Sequence, residues 1–88
     1  MNEICICAAM MAKNGMIIRG HRHRDCLEGI IRRGQTPDTS WESQGFITSC
    51  NRYVDRIKGF KLQQAAGVKS ANREGYNSAG WLFSEDLY

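Results

Sequence analysis

Both histidines of the chain fall in one short basic run, Arg19-Gly20-His21-Arg22-His23-Arg24-Asp25-Cys26. In an extended segment His21 and His23 face one side, and Arg22 and Arg24 the other. Two guanidinium groups beside two imidazoles suit a phosphate. The start of a helix would strengthen that preference, because its unpaired N–H groups and positive dipole end favour an anion. Two other chemistries use the same residue types. His21, His23 and Cys26 give H-x-H-x-x-C, which fits a three-ligand zinc site in residue type; no CxxC or HxxxH pair completes it, and no metal is expected. Two histidines beside arginine could also act as acid, base and phosphate clamp in a small phosphodiesterase or ribonuclease. No side chain in the sequence stands out as the partner that would orient them.

The elements that carry this run are readable from pattern. Residues 3–12, E-I-C-I-C-A-A-M-M-A, form a continuous apolar stretch that reads as a buried strand. Lys13-Asn14-Gly15 supplies a turn, and Met16 to Arg19 resume as a second strand that delivers the basic cluster. Asp25, with Glu28 three residues on, reads as the N-cap of a helix over about 26–33. Leu27, Ile30 and Ile31 would be its buried face, and Gly34 its left-handed C-terminal cap.

Residues 34–44 are polar, contain the single proline, Pro37, and read as an exposed loop in which Trp41 is either an anchor on the core or a ligand-stacking or interface residue. Residues 45–50 read as a third strand, with a turn at Asn51-Arg52. Tyr53, Val54, Asp55 and Arg56 lead into a second helix, with Asp55 its expected N-cap, that runs to about Ala66 and stops at Gly67. Its narrow apolar stripe is Gly59, Leu62 and Ala66, with Phe60 beside it, so something packs close against it. Residues 68–80 read as a loop, and the aromatic segment from Trp81 adds a strand up to Phe83. The fold expected is α+β, a small antiparallel sheet with an N-terminal β-hairpin and two helices, in a single domain spanning 1–88.

Composition narrows the classes. A chain of 88 residues buries roughly 60–65% of its unfolded surface, so self-association would help it. A net charge of +3 is mild. It suits a small anion or a localised RNA contact better than DNA. No apolar run reaches membrane-spanning length, and no secretory signal pattern opens the chain, so a cytoplasmic setting with Cys5, Cys7, Cys26 and Cys50 reduced is expected.

Three pieces taken in order carry a resemblance. They are G-H-R-H-R-D-C at 20–26; Q-G-F-I-T-S at 44–49, with R-Y-V-D-R at 52–56 and A-A-G at 65–67; and L-F-S-E-D-L-Y at 82–88. Together they resemble the first type of phage Thoeris anti-defence protein. The resemblance implies a molecular sponge, not an enzyme. Such a protein holds the cyclic ADP-ribose signal of bacterial Thoeris immunity without cleaving it. Some members also hold cyclic oligonucleotides at separate sites, which links them to CBASS evasion. It further implies self-assembly as dimers and hexamers, no cofactor, and action in the infected host's cytoplasm. Members often continue A-x-x-A-G-Q where this chain has Val68, so a polar ligand contact there is not carried over.

An ADP-ribose-like ligand needs cations for pyrophosphate, an aromatic face for adenine and polar groups for ribose. Arg52 and Arg56 fit the first need, since arginine forks onto two oxygens. Phe46, Tyr53 and Tyr76 are candidate stacking platforms. Asn51, Asp55, Ser84, Glu85 and Asp86 can bond hydroxyls or the adenine edge, and for Glu85 and Asp86 a structural or interface role that also shapes the pocket, neutralising Arg52 or Arg56, is favoured over that of solvated tail charges. Arg19, His21, Arg22, His23 and Arg24 form a second phosphate site, expected to be separate. An RNA-binding module stacking bases on Arg and Tyr is a third reading, disfavoured by the acidic Ser84-Glu85-Asp86 tail.

Overall fold

The computed structural model describes residues 2–38, 40–73 and 80–87, the Trp41 side chain excepted. Four strands, β1 (Cys5–Met11), β2 (Ile17–Gly20), β3 (Gln44–Thr48) and β4 (Tyr53–Asp55), form one antiparallel sheet in the order β2-β1-β3-β4. Helix α1 (His23–Arg32) follows β2, and α2 (Arg56–Ala65) follows β4. The expected α+β architecture with an N-terminal hairpin is the one observed.

Both hairpins turn by the same device. At the first, Gly15 N–H donates to Ala12 O (2.9 Å), Ala12 N–H donates to Met16 O (2.8 Å), and Gly15 sits at φ +88°. At the second, Asn51 N–H donates to Thr48 O (2.8 Å), Thr48 N–H donates to Arg52 O (2.9 Å), and Asn51 sits at φ +59°. Each is a three-residue loop ending in a left-handed residue, the place where Gly or Asn costs least. Arg52 then reaches back to the N-terminal segment. Its Nε and Nη2 donate to the two Glu3 carboxylate oxygens, both at 2.6 Å. With Thr48 Oγ1 also donating to Glu3, the carboxyl is held down at about 2.

The sheet's register puts the core on one face. Ala8 pairs with Phe46, and Phe46 with Val54, so these three side chains point the same way. Against the first half pack Cys26 and Ile30 of α1, with Met10 and Ala12. Against the second half pack Leu82 and the partly buried Phe60 and Leu62. Both helices therefore lie on the same face. Gly59 lets α2 approach: a Cβ there would meet Cys5 Sγ and Phe46 Cδ2 at 3.2 Å and Leu82 Cδ2 at 3.3 Å. Phe46 is fully buried, which stabilises the fold by roughly 1.5–3 kcal/mol relative to leaving the ring in water.

Four local expectations are corrected. Asp25 is not the N-cap of α1; Arg22 is, and Asp25 sits at the third helical position, where its carboxylate accepts the Arg22 N–H at 3.0 Å. The acidic half of a capping box is thus present, but the helix starts three residues earlier than its cap-like Asp suggests. The buried face of α1 is Cys26, Gly29 and Ile30, while Leu27 (36%) and Ile31 (59%) are exposed. Small Gly29, against Ile18 Cγ2, sets which way the helix rolls. Tyr53–Asp55 is a fourth strand and not merely a lead-in to α2. The tail adds no strand up to Phe83; it ends in a 3-10 turn at Ser84–Asp86, because Asp86 turns back to accept the Phe83 N–H at 2.9 Å. The Gly34 cap (φ +71°) and the Asp55 N-cap, whose Oδ1 accepts Lys58 N–H at 2.8 Å, are as the sequence indicates.

Candidate functional site

The start of α1 and the C-terminal tail face one another across a cleft of about 360 Å³. Arg22, His23, Arg24 and Asp25 form one wall, Phe83, Ser84 and Glu85 the other, with Arg56 between them. The volume lies at the low end of the range for small-molecule sites, about 300–1,000 Å³. The sequence assigns these residues to two sites; the fold brings Arg22, His23 and Arg24 together with Arg56, Ser84 and Glu85.

Arg56 anchors the arrangement. It is only 7% exposed, yet among the described residues its guanidinium meets no carboxylate within ion-pairing distance. Nη1 donates to Leu82 O (2.9 Å); Nη2 donates to Gln44 Oε1 (2.9 Å) and to His23 Nδ1 (3.3 Å). Its cation also lies 5.0 Å from the centroid of the Phe83 ring. A guanidinium has five N–H donors, and these bonds engage three of them. Burial holds its pKa below the ordinary value, offset in part by Glu85 across the cleft. A buried cation solvated only by neutral acceptors leaves a local positive potential for an anion to answer.

His23 has a defined role in this network. Its Nε2 lies 2.8 Å from Gly45 O, which can only accept, so Nε2 carries the proton. Nδ1 is then the lone pair that receives Arg56 Nη2. The ring stands edge-on to Phe46, with centroids 5.2 Å apart. Burial, followed by the Arg56 charge, pushes the His23 pKa below its usual value, against the weaker opposite pulls of the Gly45 bond and Glu85. The imidazole is therefore neutral and both nitrogens are engaged. Because the folded pKa lies below the unfolded one, the folded state binds fewer protons, and stability falls as pH drops below about 6.5. The urea midpoint should fall between about pH 7 and about pH 5, and this fall should be smaller in His23→Gln.

The tail wall is tied down by a second buried charge. Asp86 is 2% exposed and accepts Arg73 Nε (2.9 Å), Arg73 Nη2 (2.6 Å), Ser70 Oγ (2.6 Å) and Phe83 N–H. Burial pushes its carboxyl up, but the Arg73 and Ser70 bonds outweigh that and leave it below the usual range. Arg22 Nη1 donates to Ser84 O (2.5 Å), joining the two walls directly.

The remaining sequence candidates lie elsewhere. Arg52 is occupied by Glu3. Asn51 Oδ1 accepts Arg19 Nη2 at 2.5 Å, which ties the β3–β4 turn to β2. Asp55 caps α2. Tyr53 lies beside Gly45 and donates its hydroxyl to Glu42 O (2.7 Å). Phe46 is core, and Asp86 is clamped beneath the tail. His21 is exposed and is not part of the cleft lining. Tyr76 and the Trp41 side chain lie outside the described residues. Gln44, Phe83 and Arg73 were not candidates from sequence. The alternation of Gln44 with Phe46 was the one available signal, since it places Gln44 on the helix-covered face.

Cys26 packs in the core with Ile30, so it does not join the histidines. Among the described residues no three His, Cys, Asp or Glu side chains gather as metal ligands. All four cysteines are free, with Cys5 and Cys26 pushed up to about 12 by burial. Among the described residues no helix is long and apolar enough to cross a membrane.

A small α+β domain with a cationic cleft between its first helix and its tail is thus the class that fold and site define. Over residues 4–88 the chain matches the family model described as Phage T4 y16D protein, and it belongs to that family of phage proteins. No curated protein and no solved structure matches it.

Proposed function

We propose that this phage protein binds a phosphate-bearing nucleotide signal in the cleft and sequesters it without chemistry. The observation that carries the reading is Arg56: a buried guanidinium on neutral acceptors, beside Arg22 and Arg24 in the cleft wall. Binding without cleavage is favoured by His23, whose two ring nitrogens are already committed to Gly45 O and Arg56. A general base needs a nitrogen within reach of the substrate proton. The resemblance to the first type of Thoeris anti-defence protein narrows the ligand to cyclic ADP-ribose-type signals, with cyclic oligonucleotides as a further class. In that reading the protein is an anti-defence sponge acting in the infected cell's cytoplasm against Thoeris or CBASS immunity, and copies of the chain assemble with one another.

Calorimetry with cyclic ADP-ribose tests the assignment. Arg56→Gln should weaken binding by about 1–3 kcal/mol, the range for charge-assisted bonds, while Arg52→Ala, which touches only the Glu3 clasp, leaves affinity unchanged. Wild-type affinity in Arg56→Gln would remove the cleft as the site. Cleavage of the ligand would move the reading to a phosphodiesterase or ribonuclease.

A further inference from the structure

A phosphate site becomes a nucleotide site only when an aromatic surface lies within reach of it. The cleft's own aromatic, Phe83, is already engaged: the guanidinium carbons of Arg56 and Arg73 lie 5.0 Å and 4.9 Å from its centroid. Phe46 has no exposed surface, and Tyr53 is half-buried against Gly45. Trp81 is 45% exposed, and it is the exposed aromatic among the described residues.

Its backbone is fixed from both sides of the cleft network. Arg73 Nη2 donates to Trp81 O at 3.1 Å. The next residue, Leu82, is clasped to Arg56 at both polar groups: Leu82 N–H donates to Arg56 O (3.0 Å), and Leu82 O receives Arg56 Nη1 (2.9 Å). The indole then stands edge-on to Phe83, with centroids 6.2 Å apart and planes at 67°. The result is an exposed aromatic residue on a hydrogen-bonded backbone, one ring away from the cationic cleft.

Resting on the sequestration reading above, we infer that Trp81 is the base-recognition residue of this site. Arg56 and the start of α1 hold the phosphates, and the indole carries the nucleobase outside the cleft. The ring is what makes the site prefer a nucleotide over a bare phosphate or a sugar phosphate.

Three probes separate the parts: inorganic pyrophosphate, ribose 5-phosphate and ADP-ribose, titrated into wild type, Trp81→Ala, Trp81→Phe and Arg56→Gln. Wild type should bind ADP-ribose more tightly than the other two probes. Trp81→Ala should lose about 5- to 150-fold in ADP-ribose affinity, the range for stacking one base on an aromatic, and keep its pyrophosphate affinity. Trp81→Phe should recover part of the loss, which shows that a ring is needed and that the fold is intact. Arg56→Gln should weaken all three probes. Unchanged ADP-ribose affinity in Trp81→Ala, or a wild type that binds pyrophosphate as tightly as ADP-ribose, overturns the role of Trp81 alone. A wild type that binds none of the three overturns the cleft reading and this inference with it.

Discussion

Asp86→Ala should be among the most damaging single changes in the chain, lowering stability by about 3 kcal/mol or more, the range for breaking one side of a buried ion pair. The Asp86 side chain is fully buried, that of Arg73 is 28% exposed, and two short bonds join them. Removing the carboxylate takes two bonds and the counter-charge from a half-buried guanidinium and removes the acceptor of the Ser70 hydroxyl and the Phe83 N–H. For a domain whose total stability is of order 5–15 kcal/mol this is a large fraction. The site should suffer as well, since Phe83, Ser84 and Glu85 are positioned by the same carboxylate. A reduced urea midpoint, together with faster amide exchange in residues 82–87, is the expected result. An unchanged midpoint would mean that the tail is held by Leu82 packing alone.

Gly45→Ala should cost about 3 kcal/mol or more, at the upper end of overpacking effects. A Cβ at Gly45 would stand 2.0 Å from Val54 O and 2.8 Å from both Cζ and Oη of Tyr53. The first contact is with backbone of the neighbouring strand, which cannot yield without breaking the β3–β4 pairing. Gly45 O is also the acceptor that fixes the His23 tautomer. The substitution therefore couples sheet damage to the cleft. For a domain of this size the melting temperature should fall by more than about 10 °C. A fall of only a degree or two would show that β4 can shift to make room.

How much of this was legible in sequence follows from how local each feature is. Asn14-Gly15 and Asn51 announced their turns, because only a few residue types take a left-handed backbone. Asp55 announced α2 by its own bond to Lys58 N–H. Asp25 misled because an acidic residue favours both the cap and the first turn of a helix, and only the chain's path through Arg22 distinguishes them. Leu27 and Ile31 misled because apolar spacing gives a stripe on α1 without saying which edge of it meets the sheet; the closeness of Gly29 to Ile18 decides that.

The cleft was legible in residue type but not in assembly. Arg22, His23 and Arg24 were singled out, as were Arg56, Ser84 and Glu85, yet the two groups were assigned to different sites. Their union depends on β3 lying between β1 and β4, with both helices on one face. That arrangement brings His23 to Arg56 and Arg22 to Ser84 across 33 and 62 residues of chain. Arg52 shows the converse. It is the same residue type as Arg56 and only four positions away, but Glu3 accepts from its Nε and Nη2. Whether an arginine meets a carboxylate or only neutral acceptors is a tertiary fact that sequence does not carry.

The central claim is that the cleft holds a nucleotide signal and returns it unaltered. The direct measurement mixes purified protein with cyclic ADP-ribose isomers and, separately, cyclic oligonucleotides, reads the free fraction by chromatography, then heats the mixture and reads it again. The prediction is depletion of ligand by the wild-type protein, weaker depletion by Arg56→Gln, and recovery of the intact ligand after heating. Ligand that returns cleaved, or that is never depleted, would contradict it.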